Sequence, residues 1–163
     1  QISQNFGGSA VGKKAAGALA RLQSEGGVLK LPAMKYSDGS ACNFAPAGGK
    51  PVAIFCWASW DAENLAAMKT LVAGGAVTAI GVNLDGCPDP NASPEERAAF
   101  FKELTAGLPW KNVCDPEGLN GPAAVALGVQ NSPWIILIDK SGKVVRSNIT
   151  SVEDLESIVK ELK

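Results

Sequence analysis

Three continuous apolar runs dominate the sequence and limit the folds that it can adopt. They are PVAIFCWA at residues 51–58, AVTAIGVNL at residues 76–84 and WIILI at residues 134–138. Runs without polar alternation are typical of strands that are buried on both faces of a parallel sheet. Helical patterns fill the intervals, notably at 61–72 and after the Ser-Pro-Glu-Glu start at 93–96. The sequence therefore predicts an α/β domain with helices on both faces of a central sheet.

The N-terminal part of the chain carries weaker signals. Residues 10–24 have apolar residues at helical spacing after a serine cap, which predicts an amphipathic helix. Short apolar runs on either side of Asp38 and Gly39 predict a β-hairpin, because glycine accepts the positive φ of a hairpin turn. We therefore expect an N-terminal helical extension at residues 1–30, packed on a main domain at residues 31–163.

The C-terminal half continues the alternation of strands and helices. Its pattern predicts a strand at 111–114, a short helix at 120–127, an antiparallel strand at 144–146 and a last helix capped by Ser151. Counted from the first apolar run, the predicted order is βαβαβαββα. That order indicates a mixed, largely parallel sheet with right-handed crossovers.

Composition excludes several classes of function. The 163 residues include 15 basic and 16 acidic residues, and the net charge of -1 gives no reason to expect a nucleic-acid partner. The absence of histidine excludes Ser-His-Asp and Cys-His catalysis and every histidine-containing metal site. No stretch reaches the roughly 20 apolar residues of a membrane span. We predict no metal, no cofactor and no membrane-spanning segment, and Gln1 indicates either a removed signal or a trimmed end.

The four cysteines lack the spacing of a redox pair. No two are separated by two residues, so the sequence contains no CxxC motif. Cys56 lies on an apolar strand, where a lone cysteine is usually a small core residue, and the spacing does not decide the state of Cys42. Cys87 and Cys114 follow neighbouring predicted strands, but their stagger of roughly 10 Å exceeds the roughly 7 Å Cα limit of a disulfide. They could form a bridge only if the loop at 86–88 folds back.

The segment GKPVAIFCWASWDAEN at residues 49–64 resembles the active-site segment of exported thioredoxin-like proteins of the TlpA/ResA type. The resemblance covers about residues 31–163, in the family's order and spacing, through GVNLD at 81–85, DPEG at 115–118 and ALGVQNSPWIILIDKSGKVV at 126–145. It implies a thioredoxin-like α/β fold, here with an N-terminal helix and β-hairpin extension. It also implies an exported protein, periplasmic or otherwise extracytoplasmic, in a bacterium.

The redox centre of that family is absent from this sequence. The resemblance places Asp61 and Asn64 at the two positions of the family's CxxC cysteines, Ala67 at its helix glutamate and Lys69 at its helix proline. Thiol-disulfide exchange needs one thiolate to attack and a second thiol to release the mixed disulfide. Neither Asp61 nor Asn64 can carry out either step. We therefore predict a non-catalytic protein with a binding or assembly role in the cell envelope and a protein or peptide partner.

An enzymatic alternative moves the redox pair instead of losing it. In that hypothesis the chain is a thiol-disulfide oxidoreductase that uses Cys87 and Cys114. A peroxiredoxin-like enzyme is disfavoured, because no cysteine lies in the turn at 59–64, where a helix dipole would lower a thiol pKa.

We place the binding surface where the first apolar run meets its helix. Its predicted members are Trp60, Asp61, Ser132, Pro133 and Trp134, since loops at strand ends carry sites on a rigid sheet. The resemblance implies that Pro133 is cis beside the site, whereas position alone favours Asp61 as a helix cap. Trp60 is the candidate surface aromatic. Trp134 either fills part of the family's groove or stacks on a ligand.

Overall fold

A five-stranded mixed sheet forms the centre of the molecule, in a computed structural model that describes residues 8–162. The strands are β1 (Val52–Trp57), β2 (Thr78–Asn83), β3 (Lys111–Cys114), β4 (Trp134–Ile138) and β5 (Val144–Ile149), in the order β3-β2-β1-β4-β5. The β1/β2 and β2/β3 pairs are parallel, and the β1/β4 and β4/β5 pairs are antiparallel. The predicted mixed sheet is confirmed. It is not largely parallel, because β4 and β5 join the far side of β1 as an antiparallel pair.

Five helices lie within residues 8–162. They are α1 (Ala10–Gln23), α2 (Ala62–Ala73), α3 (Pro94–Leu104), α4 (Pro122–Leu127) and α5 (Val152–Glu161), and a short 3-10 turn at Gly118–Asn120 precedes α4. No helix within residues 8–162 is both long and apolar enough to cross a membrane.

Alternate residues of β1 contribute to two hydrophobic cores on opposite faces of the sheet. Ile54 belongs to one core together with Leu127 of α4. Phe55 belongs to the other, together with Met68 of α2 and Leu155 of α5. This alternation follows from the period of two in a strand, and it leaves β1 buried along its whole length.

The hairpin expected around Asp38 is present in a minimal form. A single antiparallel bridge joins Lys35 and Ala41, and Gly39 turns the chain with a φ of 83°. The Ser37 backbone N–H donates to the Asn112 carbonyl at 2.8 Å, so the hairpin lies along β3.

Helix α1 does not bury its apolar stripe. Val11, Leu19 and Leu22 are about half exposed or more, and the helix instead contacts α4 through the face that carries Gly17 and Arg21. A Cβ atom on Gly17 would lie 2.3 Å from the Val125 carbonyl oxygen, so only glycine permits this close approach. Helix α1 thus contacts α4, whereas the division into an extension at 1–30 and a main domain at 31–163 stays a prediction. Residues 1–7 and Lys163 lie outside the described part of the chain.

The segment that follows α1 runs beside β5. Glu25 forms a parallel bridge with Val144. The Gly26 N–H donates to the Val144 carbonyl, and the Val144 N–H donates to the Gly27 carbonyl, both at 2.8 Å. Residues 25–27 thus pair with the start of β5.

Candidate functional site

The turn between β1 and α2 is held in place by Asp85. This carboxylate accepts hydrogen bonds from the Ser59 backbone N–H at 2.9 Å, from the Ser59 hydroxyl, and from the Asn83 Nδ2 at 2.7 Å. Because Asp85 follows β2, the parallel neighbour of β1, the bonds tie the turn to the carboxyl end of the next strand. The position of residues 58–61 is thus fixed by the sheet.

Asp61 stands at the N-cap position of α2 but does not cap the helix. Its side chain makes no capping hydrogen bond, which corrects the capping role expected from sequence. The reason is local backbone geometry, because its ψ of 60° departs from the extended conformation of a typical capping residue. The carboxylate instead accepts from Asn64 Nδ2 at 3.0 Å and from the Ser132 hydroxyl at 3.2 Å.

Asn64 extends these contacts to the start of α5. Its Oδ1 accepts a hydrogen bond from the Val152 backbone N–H at 3.0 Å. Ser132, Asp61, Asn64 and the Val152 N–H therefore form one chain of hydrogen bonds, which we call the Asp61 network. It links the loop before β4, the start of α2 and the start of α5. Sequence reasoning missed the role of Asn64, because no local pattern indicates a bond across 88 positions.

The residues on the two sides of the Asp61 network differ in exposure. Trp60 is 63% exposed, whereas Pro133 is buried and is joined to Ser132 by a cis peptide bond. Of the predicted surface, Trp60 is exposed, Asp61, Ser132 and Trp134 are partly exposed, and Pro133 is buried. Trp57 is buried in the core and donates its indole N–H to Asn112 Oδ1 at 2.9 Å.

Trp134 packs against the core on the face of the sheet that is opposite to α2 and α5. Its indole Nε1 donates to the Ser147 carbonyl at 2.9 Å. The guanidinium carbon of Arg21 lies 4.5 Å from the centre of the ring, as in a cation-π contact. These contacts join Trp134 to α1 and β5, whereas the contacts of Asp61 lead to α2, α5 and Ser132.

Arg21 is an almost fully buried cation that the sequence pattern did not reveal. It is 3% exposed and donates to the Leu127 and Ser147 carbonyls. Burial lowers the pKa of its guanidinium. Glu25 accepts from the Ser147 N–H and the Ser147 hydroxyl at 2.8 Å each, and these bonds lower the pKa of its carboxyl group.

Cys87 and Cys114 do not form the disulfide that the sequence left open. All four cysteines are free thiols. The β2/β3 register sets Cys114 beside Asn83, and the Cys87 N–H donates to the Pro116 carbonyl at 2.7 Å. Cys87 therefore lies beside Pro116, two residues beyond Cys114, and the segment at 86–88 does not bring the two thiols into a disulfide. Burial, reinforced by the charges of Asp115 and Asp85, raises the pKa of Cys114 to about 12.

The remaining cysteines and acids offer no evident reactive centre. Complete burial raises the pKa of Cys56 to about 12, and partial burial raises that of Cys42. Within residues 8–162, no group of three or more cysteine, aspartate or glutamate residues is arranged to hold a metal ion.

The fold is that of a thioredoxin-like protein, as the sequence resemblance implied. No protein-family model matches the sequence, and comparison with curated proteins finds no similar sequence. A thiol-disulfide oxidoreductase from Bacteroides fragilis is 22% identical with a TM-score of 0.56, over 82% of this chain and 98% of that one. A thioredoxin-like protein from Aeropyrum pernix is 20% identical with a TM-score of 0.58, over 80% of this chain and 89% of that one.

A third similar structure is the exposed lipoprotein thioredoxin Etrx1 from Streptococcus pneumoniae. It is 25% identical with a TM-score of 0.51, over 81% of this chain and 99% of that one. These structures share the architecture with this chain. A shared fold does not by itself define what the present site does.

Proposed function

We propose that this chain is a redox-inactive thioredoxin-like protein that binds a protein or peptide partner through the surface around Trp60. The observation that carries the proposal is the Asp61 network. Asp61 and Asn64 begin the helix that follows β1, and both side chains are committed to hydrogen bonds within the protein. A carboxylate and a carboxamide cannot attack a disulfide or resolve a mixed disulfide.

The exposed part of the site has the chemistry of a recognition surface. Tryptophan is enriched at protein interfaces, because its large apolar ring gives much contact area with few rotatable bonds. Trp60 is the most exposed aromatic candidate of the site and sits on a turn that Asp85 fixes. The surface is therefore formed before a partner binds, and this lowers the entropy cost of binding. The contacts of Trp134 with Arg21 and Ser147 favour a structural role for that ring.

The cell envelope is the proposed location. The sequence resembles exported thioredoxin-like proteins, and the similar structure from Streptococcus pneumoniae is described as an exposed lipoprotein. A role in binding or assembly at that location needs no redox chemistry.

A reductase assay and a peptide selection test the two halves of the proposal. With dithiothreitol as reductant, the protein should reduce insulin no faster than a variant in which all four cysteines are serine. Peptides selected from a displayed library should lose at least about tenfold in affinity for Trp60→Ala and keep their affinity for Val28→Ala, an equally exposed apolar control on another part of the surface. Insulin reduction that depends on the cysteines would contradict the first half. Equal binding to both variants would contradict the second.

The relocated pair of Cys87 and Cys114 is not favoured. The two thiols are unbonded and staggered, and the pKa of Cys114 is raised. A redox pair of this kind would need a readily formed thiolate and a partner within disulfide reach.

A further inference from the structure

A groove runs between α2 and α5 and continues to the loops below β1. It consists of two adjoining cavities of about 470 and 540 Å³ that share Gly74, Ala76 and Val159. Ala67, Thr70, Leu71 and Gly74 line the groove on the α2 side. Each cavity is of the size that holds a small organic molecule.

The walls of the groove are mostly apolar. Leu71 of α2 and Val152 and Val159 of α5 line the cavity of about 470 Å³, which we call the upper cavity. Leu162, which is 40% exposed, lines the cavity of about 540 Å³ beside Lys50, which we call the lower cavity. An apolar ligand body would remove this surface from water, worth about 25 cal/mol per Å² of apolar area.

The two ends of the groove differ in charge. At the lower end, Lys50 and Lys140 line the cavity, and neither forms an ion pair within residues 8–162. Among residues 8–162 one acid, Asp139, lines this end, and its carboxylate accepts from the Ser141 hydroxyl, the Lys143 N–H and the Ser141 N–H. These bonds lower its pKa, so it stays negatively charged. Two cations against one anion leave this end with a net positive charge beside an apolar channel.

The upper end has the opposite character. Glu153 and Glu156 line it, and Glu156 accepts from Lys160 at 2.9 Å. An anionic group would be repelled there and attracted to the lower end. The charge distribution therefore sets a direction for a ligand with one charged end.

We propose that this groove binds a small amphipathic carboxylate. The carboxylate lies between Lys50 and Lys140, and an alkyl chain extends along Leu71 and Val159 between α2 and α5. The charged end of the groove is remote from Trp60, because Lys50 precedes β1 and Trp60 follows it at the other end of the strand. The upper end reaches Val152, whose N–H belongs to the Asp61 network. The proposal therefore stands whether or not Trp60 binds a partner.

Calorimetric titration with decanoate tests the proposal directly. We expect saturable binding that is at least about tenfold weaker for decanol and for decyltrimethylammonium, which have the same chain without the negative charge. The double variant Lys50→Gln with Lys140→Gln should bind decanoate at least tenfold more weakly. The control, Lys30→Gln with Lys102→Gln, has the same net charge and leaves the groove intact, so its affinity should stay within twofold.

A second variant tests the apolar part of the groove without changing any charge. Ala67→Trp, at an exposed position that lines the upper cavity, should fill the channel and weaken decanoate binding at least tenfold. Circular dichroism checks that each variant is folded. Equal loss in both lysine double variants, full affinity in Ala67→Trp, or no preference for decanoate over decyltrimethylammonium would each overturn the proposal.

Discussion

The side-chain Oδ1 of Asn64 accepts a hydrogen bond from the backbone N–H of Val152 at 3.0 Å. The bond joins the first turn of α2 to the start of α5, two helices that share one hydrophobic core. It also satisfies a donor that has no partner within its own helix, because the first N–H groups of any helix lack intrahelical acceptors.

Replacement of Asn64 should therefore destabilise the fold. Asn64→Ala removes the acceptor of the Val152 N–H and the donor to Asp61, and we expect the free energy of unfolding to fall by about 1 to 3 kcal/mol. Denaturant melts measure the change. The exposed Asn91→Ala serves as control and should stay within about 0.5 kcal/mol of the parent protein. Equal stability of the two variants would mean that the Asp61 network adds nothing to stability.

Arg21 should be the most sensitive position in α1. Arg21→Met leaves the Leu127 and Ser147 carbonyls without this donor, and we expect a loss of about 2 to 4 kcal/mol. Arg21→Lys should recover only part of it, because an ammonium group lacks the fork of the guanidinium. Lys13→Met, at an exposed position on the same helix, is the matched control. Thermal or denaturant unfolding of the three variants gives the order, and a neutral Arg21→Met would refute it.

The thiols of Cys56, which is buried, and of Cys114, which is half-buried, should resist alkylation. With a pKa of about 12, the thiolate fraction of Cys114 at pH 7.5 is roughly a thousandfold below that of an ordinary cysteine with a pKa of about 8.5. Peptide mapping after iodoacetamide treatment should show labelling of Cys114 and Cys56 that is slow in the native protein and fast in guanidinium. Because their folded pKa values are raised, the associated stability is present below about pH 8.5 and is lost as the pH rises towards 12. Rapid labelling of Cys114 in the native protein at neutral pH would instead support the hypothesis that Cys87 and Cys114 form a redox pair.

Glu25 should contribute to acid sensitivity. Its pKa is lowered in the folded state by the bonds from Ser147, so its stabilising effect is present above the unfolded pKa of about 4.3 and is lost as the pH falls further. Glu25→Gln should therefore lose less stability than the parent between pH 6 and pH 3. Denaturant melts across this range measure the slope, with the exposed Glu63→Gln as control. A parent-like slope in Glu25→Gln would contradict the assignment.

Two cysteines introduced into the Asp61 network test the proposed correspondence with the family's redox site. The side chains of Asp61 and Asn64 already meet at 3.0 Å across one helical turn. Asp61→Cys combined with Asn64→Cys should therefore form a disulfide, visible by mass spectrometry under oxidising conditions. Turnover of insulin should stay weak, since Ala67 and Lys69 replace family residues near the site. If the double variant folds but its new thiols stay reduced under oxidising conditions, Asp61 and Asn64 do not correspond to the cysteine positions of the family.

The strands and the capped helices could be predicted from sequence because their signals are local. The strand at 134–138 matches β4 at both ends, and the Ser93 capping box starts α3 where expected. The network around Asp61 could not be predicted, because its backbone angle and its partners depend on distant segments. Arg21 was missed for a related reason, since a periodic pattern does not show which side of a helix will meet the core.

The contacts of the N-terminal segments with β5 and β3 limit how any partner can bind. Outer strands of an open sheet expose backbone donors and acceptors that another chain can pair with. Here residues 25–27 form backbone hydrogen bonds with Val144 of β5, and the Ser37 N–H donates to the Asn112 carbonyl of β3. Each outer strand is thus engaged by the chain itself at one residue. A partner that added a strand along either edge would have to displace these bonds at Val144 or Asn112, which disfavours recognition of that kind at those positions.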